Sequence, residues 1–467
     1  MPTMNSSDSK RATDIAERIR TASGSRPILF ALIGFHITIC CVSLIRVADY
    51  QWYMLFDAGR LQYAIVAVLA FSIVALLFVF ARFSIGYFVG FNLFTMLLGF
   101  IWLNCFSKFN YDHTLAGFSA AASAVLFLLP ALLITTPIKQ VFTLSPHAFD
   151  YLLKFILLLA LGTVVAASLY NFRLVSIRQI YDFRNELYFP AALRYLIGIV
   201  STALLPLVFA CYVVLNRPWW AALPLLLMLL LYPIMMSKFA LFSAIWMIVL
   251  LVLSRIFESR TAIILAILLP MLAGVVLMGV IPNRYALYYF NLVNIRMLAT
   301  PSSAMDIYND FFATHPHTWF CQISFLTPLM NCPYQEQLSI VMDKTYRIGM
   351  LNASLFATEG IASVGLHLAP LVALVCGIVM AIGNRVSAGL PPRLVLISSA
   401  LLPTAFLNVP FTTALLTHGA GILFLLWYIM PRAMFQTGRT GGFPDQARGK
   451  HIVENASRLV RLSSHAS

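Results

Sequence analysis

Charge is what this sequence has least of. Only ten per cent of its 467 residues are Asp, Glu, Lys or Arg, against about a quarter in soluble domains. Sixty-one per cent are hydrophobic, and the mean hydropathy is +0.87. That balance excludes a soluble protein. Alternating polarity is missing as well, which excludes an outer-membrane barrel, whose strands alternate over about ten residues. What remains is a series of uncharged runs near the roughly 20 residues of a helical span, and helices satisfy their own backbone polar groups in lipid. The fold class is all-α, a polytopic integral membrane protein. Acidic residues are scarcer than basic ones, 17 against 31. A basic surplus in such a chain marks cytoplasmic links, so no nucleic-acid partner is expected.

A short signal core is also lacking. The polar leader Met1–Arg26 is long, and the first apolar run, Pro27–Ile45, has spanning length, which reads as an uncleaved signal anchor. Charge-free runs place helices at 27–45, 61–81, 85–106, 115–136, 155–172, 195–215, 219–237, 239–254, 261–283, 360–383, 394–411 and 412–431. The last two share one uncharged run, Leu394–Pro431, with Pro410 as the hairpin site, because proline breaks a helix and constrains the residue before it. About twelve helices put both termini on one side. Most basic residues then lie on the inner side, including the short links at Arg82, Arg217 and Ser254–Arg260. The organisation expected is a cytoplasmic tail (1–26), helices one to nine (27–283), a large periplasmic loop (284–359), helices ten to twelve (360–431) and a second cytoplasmic tail (432–467). Both tails are polar with little apolar periodicity and read as disordered. No internal repeat of the transporter kind is apparent.

Two outer segments are basic where the topology rule disfavours it. Arg173–Arg194 holds Arg173, Arg178, Arg184 and Arg194 beside Asp182 and Glu186. Arginine forks grip phosphate bidentately and stay charged when desolvated, so Arg178 and Arg184 are candidates for an anionic substrate; pairing with the two acids is the plainer reading. The large loop carries Arg284, Arg296, Lys344 and Arg347, with Asp306, Asp310, Asp343 and Glu336, among many aromatics. Aromatic faces beside carboxylates suit sugars; the same residues also suit an interfacial belt. His315 and His317 flank Pro316 without a Cys or carboxylate ligand frame, so they are read as acid–base candidates and no metal is expected. Cys321 and Cys332 lie in the same loop, where an oxidising compartment permits a disulfide. The other five cysteines read as packing or lipid-facing residues.

The run Arg347–Gly365 is the most specific. It passes Asn352, then Glu359, Gly360 and Gly365, while entering the tenth span. A carboxylate at the lip of a membrane helix is costly without a role or a partner, and the glycines permit close helix approach. Here the sequence resembles the bacterial O-antigen and oligosaccharide repeat-unit polymerases (the Wzy type), which show an Asn, then an acidic residue and Gly-x-x-x-x-Gly entering a helix after a large periplasmic loop. Ser237-Lys238 ahead of an apolar span is similar to a further feature of that group. The resemblance implies a multi-pass inner-membrane glycosyltransferase joining undecaprenyl-diphosphate-linked repeat units at the periplasmic face. Glu359, His315 and His317 are then catalytic candidates, and Arg178, Arg184, Arg284, Arg347 and Asn352 substrate-binding ones. No cofactor or metal is implied, the partner is the lipid-linked oligosaccharide, and a chain-length regulator is admitted. For Glu359, pairing with an arginine such as Arg347 is the structural alternative.

Three other readings stand beside this one. An O-antigen ligase uses arginine and histidine in a similar loop. A dolichol-type glycosyltransferase wants a close acidic pair in the first outer loop, where Asp49 and Asp57 are too far apart. A lipid-oligosaccharide flippase or other transporter carries charges inside its helices, whereas these spans are almost free of them.

Overall fold

The computed structural model describes residues 17–175, 183, 187–323, 326–351 and 354–436, and among them every regular element is a helix. Ten of these are long and apolar enough to cross a membrane. Nine come in succession: α1 (Arg26–Ala48), α2 (Ala58–Phe80), α3 (Ile85–Asn104), α4 (His113–Leu133), α5 (Pro146–Ser168), α6 (Ala191–Val214), α7 (Pro218–Met235), α8 (Lys238–Ile256) and α9 (Ser259–Val280). Two helices of the polar stretch follow, α10 (284–314) and α11 (Leu338–Tyr346). The tenth candidate span is α12 (Phe356–Ser387).

Most of these helices lie where the uncharged runs place them. The largest shift is at α5, which covers Pro146–Ser168, not 155–172. Ser145 Oγ caps its first turn, accepting from the Ala148 amide at 3.2 Å. Lys154 and Arg217 both reach Asp150 at 2.8 Å, so these charges neutralise one another on the entering turns and the helix need not wait for an uncharged residue.

The centre is α3, buried on every residue from Ile85 to Leu103. A helix apolar on all faces belongs inside a bundle. Its first turn is tied to α4 and α12 by Asn384, whose Oδ1 accepts from the Gly86 amide at 2.7 Å while Nδ2 donates to Ala131 O at 2.7 Å. Those two backbone groups lie at helix ends with no partner of their own. One side chain thus satisfies both. The α4–α12 contact is close because Gly377 lets α12 lie directly on the backbone carbonyl of Phe127.

The uncharged run 394–431, expected as two spans, is broken into α13 (Pro392–Ser398), α14 (Leu402–Asn408), α15 (Phe411–Leu416) and α16 (Ala420–Ile429). The chain does turn at Val409-Pro410, both extended. Arg393 at its start donates to Ser254 O and Arg432 past its end donates to Val386 O, so both legs begin and finish at one end of the bundle. The further breaks leave carbonyls that other helices occupy: the Trp246 indole donates to Ala400 O at 3.0 Å. Irregular backbone at membrane depth needs such internal partners.

The polar stretch after α9 begins as a helix. Asn283 caps α10 by accepting from the amides of Tyr285 and Ala286, and residues 291–299 form a π-helical segment. Asn294 Nδ2 then donates to Ser43 Oγ at 2.9 Å and Met271 O at 2.8 Å, and Ser302 Oγ reaches Met96 O at 2.8 Å. These bonds hold α10 against α9, α1 and α3. Its inward face is apolar or small, with Ile295, Leu298, Ala299, Ala304, Ile307 and Phe311 buried.

Replacing Gly377 by Ala drives a methyl group into a backbone oxygen, and overpacking of this kind costs about 1–3 kcal/mol. Gly162→Ala meets nothing within 4 Å. Thermal unfolding in detergent should therefore show a clear drop for the first variant and little change for the second; equal behaviour would contradict the close α4–α12 contact.

Candidate functional site

Near the far end of the bundle, α12 is broken. It enters as a π-helical turn, Phe356–Ala362, and at Gly365 the backbone takes φ 77° and ψ 174°, a conformation open in practice to glycine alone. The break frees two carbonyls. Thr318 N donates to Ala362 O at 2.8 Å and Trp319 N to Ser363 O at 3.1 Å. The hydroxyls of Thr318 and Ser363 join at 3.1 Å, and Ser363 Oγ donates to Thr358 O at 2.8 Å.

This docking lays His317 on the break. A Cβ at Gly365 would sit 2.9 Å from its Nε2, and the ring meets Phe312 and Trp319 at 6.0 and 6.4 Å. Its Nδ1 is buried without a hydrogen-bond partner. Burial lowers the His317 imidazole below its ordinary value, so at neutral pH the ring is a neutral acceptor. His315 is in a different setting. It is exposed, stacks on Phe311 at 3.9 Å, and places Nδ1 at 2.9 Å from Phe311 O. The two histidines that are neighbours in sequence do not share one environment.

Glu359 lies inside the π turn, 5% exposed. Its Oε1 accepts from the amide and hydroxyl of Thr412 at 3.1 and 3.2 Å, and its Oε2 accepts from Thr358 Oγ1 at 2.6 Å. The carboxylate therefore holds the first turn of α15. Arg347, the alternative partner, is exposed and makes no hydrogen bond or ion pair with it. Thr358 joins two roles: its hydroxyl donates to Glu359 and its carbonyl accepts from Ser363. Glu359 is linked in this way to the peptide that carries His317.

A second polar cluster lies on α10. Asp306, 6% exposed, accepts from Ser107 Oγ at 3.0 Å and from the Tyr111 hydroxyl. Tyr111 also meets Asn104 Oδ1 at 3.0 Å, and that oxygen faces His113 Nδ1 at 3.0 Å. One turn on, Asp310 accepts from the Asn110 amide at 2.9 Å and the Tyr346 hydroxyl at 2.6 Å. Burial, opposed by the bonds from Tyr111 and Ser107 and assisted by Asp310, pushes the Asp306 carboxyl up to about 7. Between the two carboxylate clusters stands Tyr308, fully packed, whose phenol is pushed well up by burial and by the Glu359 charge. The partners from the 105–113 link escape a reading by motif; their one signal is a polar run, Ser107–His113, in a link between two apolar helices.

The remaining candidates divide. Arg284 is exposed and folds its guanidinium over the adjacent Tyr285 ring, 4.9 Å from the centroid. Arg347 is exposed at the left-handed end of α11. Neither bonds to Glu359, His315 or His317. Arg178, Arg184 and Asn352 lie outside the described residues. Cys321 and Cys332 form a disulfide, with their Cα atoms 5.4 Å apart. It closes the segment that follows Trp319, and Thr327 Oγ1 fastens it further by donating to Cys321 O at 2.8 Å.

The fold defines a multi-pass helical membrane protein with two buried carboxylate clusters near one end. The chain matches no protein-family model, no curated protein and no solved structure. Its own geometry therefore carries any reading of its function.

The sign of the pH effect at Asp306 follows from its raised value. An unfolded Asp releases its proton near pH 4 and the folded one near 7. Between these the folded state holds more protons, so stability is greatest on the acid side and declines as pH rises through 7. Asp306→Asn keeps a side chain for Tyr111 and Ser107 but removes the titration. Its melting temperature should gain on the native protein from pH 5 to pH 8; parallel curves would show that Asp306 does not titrate there.

Proposed function

We propose that this protein is a glycosyltransferase of the lipid-sugar class. It joins undecaprenyl-diphosphate-linked repeat units at the periplasmic face of the bacterial inner membrane. The observation that carries this reading is the broken α12. The Glu and two glycines of the polymerase-like run form there a kinked helix with His317 laid on it, beneath Phe312 and Trp319. An aromatic wall beside polar groups suits a saccharide. On this reading α13–α14 and α15–α16 complete twelve crossings, with the termini in the cytoplasm and residues 284–350 on the periplasmic side.

In the reaction, the acceptor hydroxyl oxygen bonds to the anomeric carbon of the donor. The carbon–oxygen bond to the diphosphate breaks, and lipid diphosphate leaves with the electron pair. His317, neutral because burial lowers its imidazole, takes the hydroxyl proton as general base. Glu359, whose oxygens are occupied by Thr358 and Thr412, is a positioning residue that acts through Thr358, Ser363 and Thr318 on His317. Arg284 and Arg347, exposed on the same stretch, serve the diphosphate with Arg178 and Arg184. The ligase reading draws on the same histidine.

The surface glycan of a deletion strain separates these readings. A single repeat unit on the lipid A-core is expected; free lipid-linked polymer would make the protein a ligase. Within the site, His317→Gln should cut polymer formation about 10²–10⁴-fold at unchanged melting temperature, and Glu359→Gln should reduce both activity and stability. Normal polymer from both variants would remove this site from the mechanism. For topology, reporter fusions after Ala304 and after Arg432 should report periplasm and cytoplasm respectively, and the reverse at either would overturn the arrangement.

A further inference from the structure

At the opposite end of the bundle lies a cavity of about 470 Å³ between α6, α7 and α8. Its floor and sides are apolar: Phe209, Val213, Leu225, Ile248 and Leu251. Small residues open it, Ala221 and Ala222 on α7. Its polar lining is of another kind. Arg217 and Arg255 both face it, with Asn216 and Tyr212. Arg255 is exposed and has no hydrogen bond or ion pair among the described residues. Arg217 gives one nitrogen to Asp150 at 2.8 Å, and Asp150 is shared with Lys154, so the local balance stays positive. The charges of Arg20 and Arg255 both bear on Arg393, which adds further guanidinium groups at the same end.

The Tyr212 ring lines the cavity and meets Trp220 at 5.7 Å. Beside it Trp219 and Trp220 begin α7, Trp219 fully outward, at the position of an interfacial aromatic belt. The cavity therefore runs from headgroup level down an apolar slot.

We propose that this cavity is a binding site for an anionic glycerophospholipid of the leaflet at the basic end. The phosphate is held by Arg255 and Arg217, and an acyl chain lies along Leu225, Ile248 and Leu251. Charge complementarity selects the occupant: a zwitterionic lipid brings its own cation to a place already rich in arginine. A second copy of the chain, with the same arginines, would bring like charge. The site lies at the other end of the bundle from the break in α12 and does not depend on the glycosyltransferase reading.

The test uses the whole protein reconstituted from equimolar phosphatidylglycerol and phosphatidylcholine, then released in mild detergent for native mass spectrometry. The native protein should retain phosphatidylglycerol preferentially. Arg255→Gln, at an exposed side chain with no bond to lose, should reduce that retention roughly fivefold, the effect of about one surface arginine. Ala222→Trp, which fills the slot and leaves the charges, should reduce it as well. Equal retention of the two lipids by the native protein would overturn the proposal, as would retention unchanged in Arg255→Gln. A dimer that dissociates in Arg255→Gln without loss of lipid would assign the cavity to a second copy instead.

Discussion

The arrangement at the far end depends on how a broken membrane helix finds partners for its backbone. At Gly365 the chain of helical hydrogen bonds stops, and the carbonyls of Ala362 and Ser363 lose their donors. In hydrocarbon each such group costs several kcal/mol if left alone. The amides of Thr318 and Trp319 take both. That requirement fixes where the segment after α10 must run, and so it places His317 on Gly365, which has no side chain to displace it. Ser119 Oγ, from α4, takes Leu366 O at 2.5 Å and closes the other side of the break.

Asparagine does similar work elsewhere in the bundle. Asn384 serves α3 and α4 at once, and Asn294 joins α10 to α1 and α9. Asn384 accepts and donates, and Asn294 donates twice, so each residue satisfies groups on two neighbouring helices. These contacts hold the bundle by geometry. Apolar packing alone supplies little preference between one helix neighbour and another when the surroundings are equally apolar.

The two ends of the molecule differ in electrostatic character for a related reason. At the far end the carboxylates of Asp306, Asp310 and Glu359 are enclosed by neutral donors: tyrosine, serine and threonine hydroxyls and backbone amides. Among the described residues, no arginine forms an ion pair with them. At the basic end, Arg217, Arg255 and Arg393 stand with few acids. Enclosure by neutral donors leaves a carboxyl free to exchange a proton, whereas an ion pair would hold it ionised. The buried carboxylates of this fold thus gather at one end, away from the cluster of Arg217, Arg255 and Arg393.

Much of the helical arrangement was legible in the sequence because lipid imposes one strong rule: a span is an uncharged run of sufficient length. The runs beginning at Pro27 and ending near Asn283 met that rule and became α1 to α9. Pro410 announced the turn in the last run through its own covalent geometry. From Arg284 on, composition alone did not show the packing: α10 is polar in composition but carries one face small and apolar enough to pack among helices. Glu359 and His317 could be singled out by residue type, yet their relation could not. Residues 42 positions apart in the chain meet through Thr358, Ser363 and Thr318. Nor could Tyr111 be matched with Asp306, since the link 105–113 and α10 are joined only by folding. Sequence determined which segments leave water, because that depends on local composition. Tertiary structure decided which polar atoms meet, because each broken helix and buried carboxylate takes the partner that folding brings within hydrogen-bond reach.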